Sequence, residues 1–139
     1  MFKYSVWYVL DSMDIIHQQI KQYSKVFDTP SFIGHVTVNH SVEFEEAVAY
    51  CKAWPDHPRS FTPRGKMVAT AVNNFYAIEQ PLSGGYHISL AYRYDRPFNP
   101  MELAIISTIP RIETVSICVA DCRSENPNEW AYINNEFAS

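Results

Sequence analysis

The chain repeats one tetrapeptide pattern, His-apolar-hydroxyl-apolar, at His35-Val36-Thr37-Val38 and at His87-Ile88-Ser89-Leu90. Both copies fall in stretches that read as strands. Residues 32–39 (FIGHVTVN) alternate, and residues 86–92 (YHISLAY) read as a strand. Side chains alternate across a strand, so His35 and Thr37 share one face while Val36 and Val38 share the other. The same holds for His87 with Ser89 against Ile88 with Leu90. Each strand therefore has an apolar underside to pack on helices and an open side bearing one imidazole and one hydroxyl. Ser and Thr total 18 of 139 residues and apolar residues 47%. Each of the five histidines then starts the pattern by chance about 3% of the time, and two do so in about 1% of random orders. Plain β-propensity of Thr and Ser explains one copy well and two copies poorly.

The rest of the chain arranges itself around these strands. Residues 2–10 (FKYSVWYVL) read as a strand. A helix is expected over 13–26, capped by Asp11 or Ser12, with Ile15, Ile16, Ile20, Tyr23 and Phe27 at helical spacing. Asp28-Thr29-Pro30 ends it. Ser41 is the expected N-cap of a helix over 42–53. Residues 66–71 and 74–79 form an expected hairpin, and Pro81–Gly85 a flexible loop. Asn99-Pro100 opens a helix to about Thr108. Residues 113–121 and 129–137 are expected strands flanking a polar turn. The order is β-α-β-α, several strands, then β-α-β-β: a single α+β domain, 1–139, with mostly antiparallel sheet.

Charge and cysteines narrow the function classes. Lys+Arg 11 against Asp+Glu 15 gives −4, which argues against a protein gripping long nucleic acid. No apolar run reaches 18 residues, so no membrane partner is expected. Met1-Phe2-Lys3-Tyr4 lacks the pattern of a signal peptide. Three cysteines without framework spacing point to a reducing, cytoplasmic setting, with Cys118 and Cys122 as buried thiols rather than a metal or redox motif. No cofactor is expected, and a monomer is.

Two imidazoles and two hydroxyls suit phosphodiester hydrolysis. One histidine takes a proton from water, the other protonates the departing oxygen, and imidazole titrates where both roles are open to it. The hydroxyls of Thr37 and Ser89 donate to the non-bridging phosphate oxygens. Neither motif places a Cys or carboxylate beside its His, so no zinc site is expected.

These motifs resemble the signature of the 2H phosphoesterase superfamily. Tyr4-Ser5-Val6-Trp7 and Phe32-Ile33-Gly34-His35 resemble its cyclic phosphodiesterase branch, as do Leu90-Ala91-Tyr92 and the final strand pair, Val115–Cys118 through Glu129-Trp130. The resemblance spans about residues 3–134. The Pro usual before a motif His is replaced by Gly34 and Tyr86, and the segment between the motifs is short for the family. The resemblance implies two pseudo-symmetric lobes of mostly antiparallel sheet around a central cleft, one motif in each lobe. It implies hydrolysis of a 2′,3′-cyclic nucleotide or of ADP-ribose 1″,2″-cyclic phosphate. Other members cleave 2′,5′-oligoadenylates or cyclic oligonucleotides, including viral and phage proteins that blunt host immunity, and so compact a chain fits that group.

On this reading His35 and His87 are the catalytic pair and Thr37 and Ser89 bind phosphate. His87 is expected to activate water and His35 to protonate the leaving oxygen, a split that leans on the family. Trp7, Tyr92 and Trp130 are candidates for stacking on a base, although strict alternation puts Tyr92 opposite His87. Trp54 is expected in the core. Arg93 and Arg96 are expected on a solvated edge, with steering of an anionic substrate as the alternative. His17, His40 and His57 are set aside, His40 as a surface residue. A nucleotide-binding module without turnover is the rival from another class; it gives no reason for both His–hydroxyl pairs.

Overall fold

The computed structural model describes residues 3–11, 14–53, 59–72, 75–106 and 108–133, with the backbone alone at Val72. The elements run β1 (Tyr4–Leu10), α1 (Ile15–Phe27), β2 (His35–Val42), α2 (Phe44–Ala53), β3 (Ser60–Phe61) and β4 (Val68–Val72). They continue β5 (Phe75–Pro81), β6 (His87–Arg93), α3 (Pro100–Ile105), β7 (Ile112–Asp121) and β8 (Ala131–Tyr132). This is the α+β order expected. The eight strands form one sheet in the order β3-β7-β1-β2-β6-β5-β4, with β8 also on β7. Every pairing is antiparallel.

The sheet has a seam. β2 and β6, which carry the two motifs, share a single register pair, Val36↔Ile88. On one side lie β1, β7, β3 and β8; on the other, β5 and β4. Helix α1 follows β1 in sequence yet packs on β6, and so ties the two halves together. Its Ile16 and Ile20 are fully buried, each contributing about 1.5–3 kcal/mol of apolar burial. Gly34 permits this close approach. A Cβ there would stand 3.1 Å from the Ile20 Cδ1 and 3.3 Å from the Leu10 Cδ1, so a larger residue requires these side chains to yield by a few tenths of an ångström.

Several boundaries differ from expectation. Asp14, not Asp11 or Ser12, caps α1: its side chain accepts from the Ile16 N–H at 2.9 Å. Ser12 lies outside the described residues, as do Trp54 and His57. Ser41 does not cap α2. It lies in β2 with φ +59°, its hydroxyl 3.2 Å from the His40 Nδ1. Pro127–Glu129 forms a turn of 3₁₀ helix, and β8 is only two residues long.

Arg93 is neither a solvated edge nor a steering charge. It is 5% exposed. Its guanidinium forks onto Glu102, with Nη1 2.7 Å from Oε2, while Nε and Nη2 donate to the carbonyls of Arg96 and Pro97 at 3.0 and 2.9 Å. Glu102 also closes the capping box of α3 with Asn99. Arg93 thus pins the β6–α3 connection, while Arg96 stands exposed beside it.

Candidate active site

All seven residues singled out in the sequence line one cavity of about 380 Å³: His35, Thr37, His87, Ser89, Trp7, Tyr92 and Trp130. The seam explains how the motifs meet. Antiparallel pairing at Val36↔Ile88 sets His35 across from Ser89 and Thr37 across from His87, all on the face opposite the fully buried Val36 and Ile88. The two histidines stand on one diagonal of this square and the two hydroxyls on the other. At ordinary sheet spacing a diagonal spans roughly 7–8 Å.

The two imidazoles are biased in opposite directions. His35 is 5% exposed. Its Nδ1 lies 2.6 Å from the Ile33 carbonyl, and a carbonyl only accepts, so Nδ1 carries the proton and Nε2 the lone pair. Burial lowers its pKa to about 4; the Ile33 hydrogen bond opposes this, and His87 and His17 add to the lowering. His87 is about half exposed, and its Nε2 lies 2.8 Å from the Glu79 Oε2. Chiefly through that hydrogen bond, and against some desolvation, its pKa is raised above the usual value.

A stability prediction follows for His35. Between pH 6.5 and 4 the unfolded chain binds the proton that the folded chain refuses. Stability therefore falls as pH drops through this window. Moving from pH 7 to 4.5 costs the wild type about 2–3 kcal/mol more than it costs His35→Gln. Urea unfolding of both proteins at the two pH values checks this; equal losses contradict a buried neutral imidazole.

The aromatics are placed differently from expectation. Trp7 is 1% exposed, and its ring lies flat on the His35 imidazole, centroids 3.5 Å apart and planes 11° apart. It holds His35 and has no open face for a base. Tyr92 reaches the cavity because β6 is bulged. Ile78 pairs with Ala91 and Glu79 with Ser89, so Leu90 is an extra residue that reverses the alternation. Tyr92 then falls on the side of His87 and Ser89. It packs against Phe75 and Trp130, centroids 5.0 and 5.5 Å away. The Trp130 indole N–H donates to the Ser124 carbonyl at 2.7 Å. Both rings are at least nine-tenths buried, so they form an apolar wall rather than a stacking platform.

Sequence reasoning missed Glu79 and discounted His40, and both line the cavity. A lone carboxylate closing an apolar strand (FYAIE) was the available signal for Glu79; its partner depends on a cross-strand register that the sequence does not display. Cys122 also lines the cavity, with burial pushing its thiol up to about 12. It is no nucleophile near neutrality. Among the described residues no three His, Cys, Asp or Glu side chains gather as a metal site, and no helix is long and apolar enough to cross a membrane. No protein-family model matches this sequence, and neither does any curated protein.

Proposed function

We propose that the chain is a metal-independent phosphodiesterase that hydrolyses a small nucleotide phosphodiester, a 2′,3′-cyclic nucleotide or ADP-ribose 1″,2″-cyclic phosphate, by two-histidine acid–base catalysis. The observation that carries this is the square of His35, Thr37, His87 and Ser89 in one nucleotide-sized cavity. The two sheet halves, each bringing one motif to the seam, support the two-lobed arrangement of the 2H phosphoesterases.

The electrostatics favour the reverse of the family-based split of roles. A base must be neutral and an acid protonated. His35, with its lone pair on Nε2 and a lowered pKa, takes the proton from the attacking water as the new P–O bond forms. His87, whose pKa the Glu79 carboxylate raises, gives a proton to the ribose oxygen as the old P–O bond breaks. Its Nε2–H is held by Glu79, so Nδ1–H is the donor left for the substrate. Thr37 and Ser89 donate to the non-bridging oxygens, whose charge rises in the transition state.

Glu79 is the positioning residue in this scheme. Glu79 on β5 pairs with His87, and His35 on β2 stands across the square from it; Tyr92 of its own strand lines the same cavity, and α1, which also packs on β6, carries His17 and the buried Tyr23. Activity is lost at the acid end as His35 protonates near pH 4 and at the alkaline end as His87 deprotonates above its usual range. Glu79→Gln moves the alkaline limb of kcat/KM to lower pH and leaves the acid limb in place. An unmoved alkaline limb overturns this role.

The function itself is tested by a screen of 2′,3′-cyclic nucleotides, ADP-ribose cyclic phosphate, 2′,5′-oligoadenylate and cyclic dinucleotides with chelator present. Turnover of the first two classes supports the reading. Turnover of the last two alone moves it to an immune-signal phosphodiesterase. Loss of turnover in chelator contradicts it.

A further inference from the structure

The cavity extends past the catalytic square along β1 and β2, and the bulges of β2 decide what lines it there. Trp7 pairs with Thr37, Val6 with Asn39 and Tyr4 with Val42. Two residues, His40 and Ser41, therefore stand opposite one, Ser5. Both line the cavity, as does Lys3, two residues beyond Ser5 on the same face. Ser41 adopts φ +59° to achieve this, a left-handed conformation that costs a residue with a side chain roughly 1 kcal/mol or more. A plain strand would have turned one of the two away. The strain keeps an imidazole and a hydroxyl together in the cavity that Lys3 also lines.

We propose that Lys3, His40 and Ser41 form a second anion subsite, which binds another phosphate of the same substrate. The proposal rests on the reading of the cleft as a nucleotide site. It narrows the substrate to one carrying a phosphate beyond the one that is cut. Ser5 lies two strand residues from Trp7, the partner of Thr37, roughly 7 Å along the strand. That suits two phosphates on separate oxygens of a ribose, and exceeds the spacing of adjoining phosphates in a diphosphate.

The donors suit an anion. The Ser41 hydroxyl and the His40 Nδ1 lie 3.2 Å apart, so one hydrogen is spent between them and, in either direction, one remains for a ligand, on the His40 Nε2 or on the Ser41 oxygen. Lys3 supplies a full positive charge. Its ammonium rests 2.8 Å from Glu43, and both side chains are largely exposed, at 41% and 61%. Exposed pairs of this kind contribute little, so a phosphate displaces Glu43 at small cost. Ser5, 5% exposed, forms the floor there beside Cys122.

The test is calorimetric binding of two product-like ligands, adenosine 2′-phosphate and adenosine 2′,5′-bisphosphate. Neither holds a bond for the protein to cut. The bisphosphate is expected to bind about tenfold more tightly at low salt, as one charge-assisted contact allows, with the advantage shrinking as salt rises. Lys3→Met and His40→Gln each reduce the ratio towards one. Ser41→Gly, which suits the left-handed backbone and keeps the bulge, lowers the ratio without loss of stability. Equal binding of both ligands overturns the subsite and leaves the reading of the cleft standing. Binding of neither overturns both.

Discussion

His35→Ala and His87→Ala each lower kcat/KM for the cleaved phosphodiester by roughly 10²–10⁴-fold. The two losses have different origins, and leaving-group chemistry separates them. In the proposed scheme His87, whose pKa the paired Glu79 raises, protonates a poor leaving group, the ribose oxygen. A nitrophenyl phosphodiester leaves without that proton. On such a substrate His87→Ala recovers most of its rate, while His35→Ala does not, because water still needs a base. Rescue of His35→Ala instead restores the opposite assignment of acid and base. Near-wild-type turnover by either variant on the natural diester removes the two-histidine mechanism altogether. Trp7 bears on the same experiment. Its ring covers one face of His35, so the alanine variant opens a gap beside a residue 1% exposed. His35→Gln, which keeps a polar group near the Ile33 carbonyl, is the control that separates lost chemistry from lost packing.

How far the sequence reveals this site follows from what a strand encodes. A period of two is written into His35-Val36-Thr37-Val38, so the shared face of imidazole and hydroxyl was readable, as was the α+β order of elements. Register is not written there. The extra residue Leu90 brings Tyr92 to the cavity, and its effect appears only once Ile78 is seen opposite Ala91 and Glu79 opposite Ser89. The doubled His40 and Ser41 opposite Ser5 have the same origin. Ser41 also looked like a helix cap because Ser before an acidic, apolar run is a cap by local chemistry; the hydroxyl is engaged by His40 instead, and the strand runs on to Val42. Trp7 was readable as aromatic and strand-borne, but which ring it stacks on depends on β1 lying beside β2. The bias between the two histidines was out of reach for a related reason. It comes from burial at His35 and from a carboxylate on the neighbouring strand at His87, and both are properties of the assembled sheet.

Arg93→Ala destabilises the fold by about 3 kcal/mol, the low end of what breaking a buried ion pair costs. The substitution removes the fork onto Glu102 and leaves a carboxylate 15% exposed with the Asn99 backbone N–H at 3.0 Å and, as its nearest remaining cation among the described residues, Arg96 at 3.7 Å. It also strips the donors from the carbonyls of Arg96 and Pro97 and the cation from the Phe98 ring, 4.0 Å away. The effect depends on pH in a stated direction. Arg93 holds the Glu102 carboxyl below its ordinary value, so the stability this pair contributes is present above the unfolded pKa and is lost as pH falls through the folded one. Urea unfolding at pH 7 and at pH 3 therefore finds a smaller gap between wild type and variant at the lower pH. Arg93→Met combined with Glu102→Gln recovers most of the loss at pH 7, because it removes the stranded charge together with its partner. A double variant as unstable as Arg93→Ala shows instead that the carbonyl contacts, rather than the ion pair, hold the β6–α3 connection.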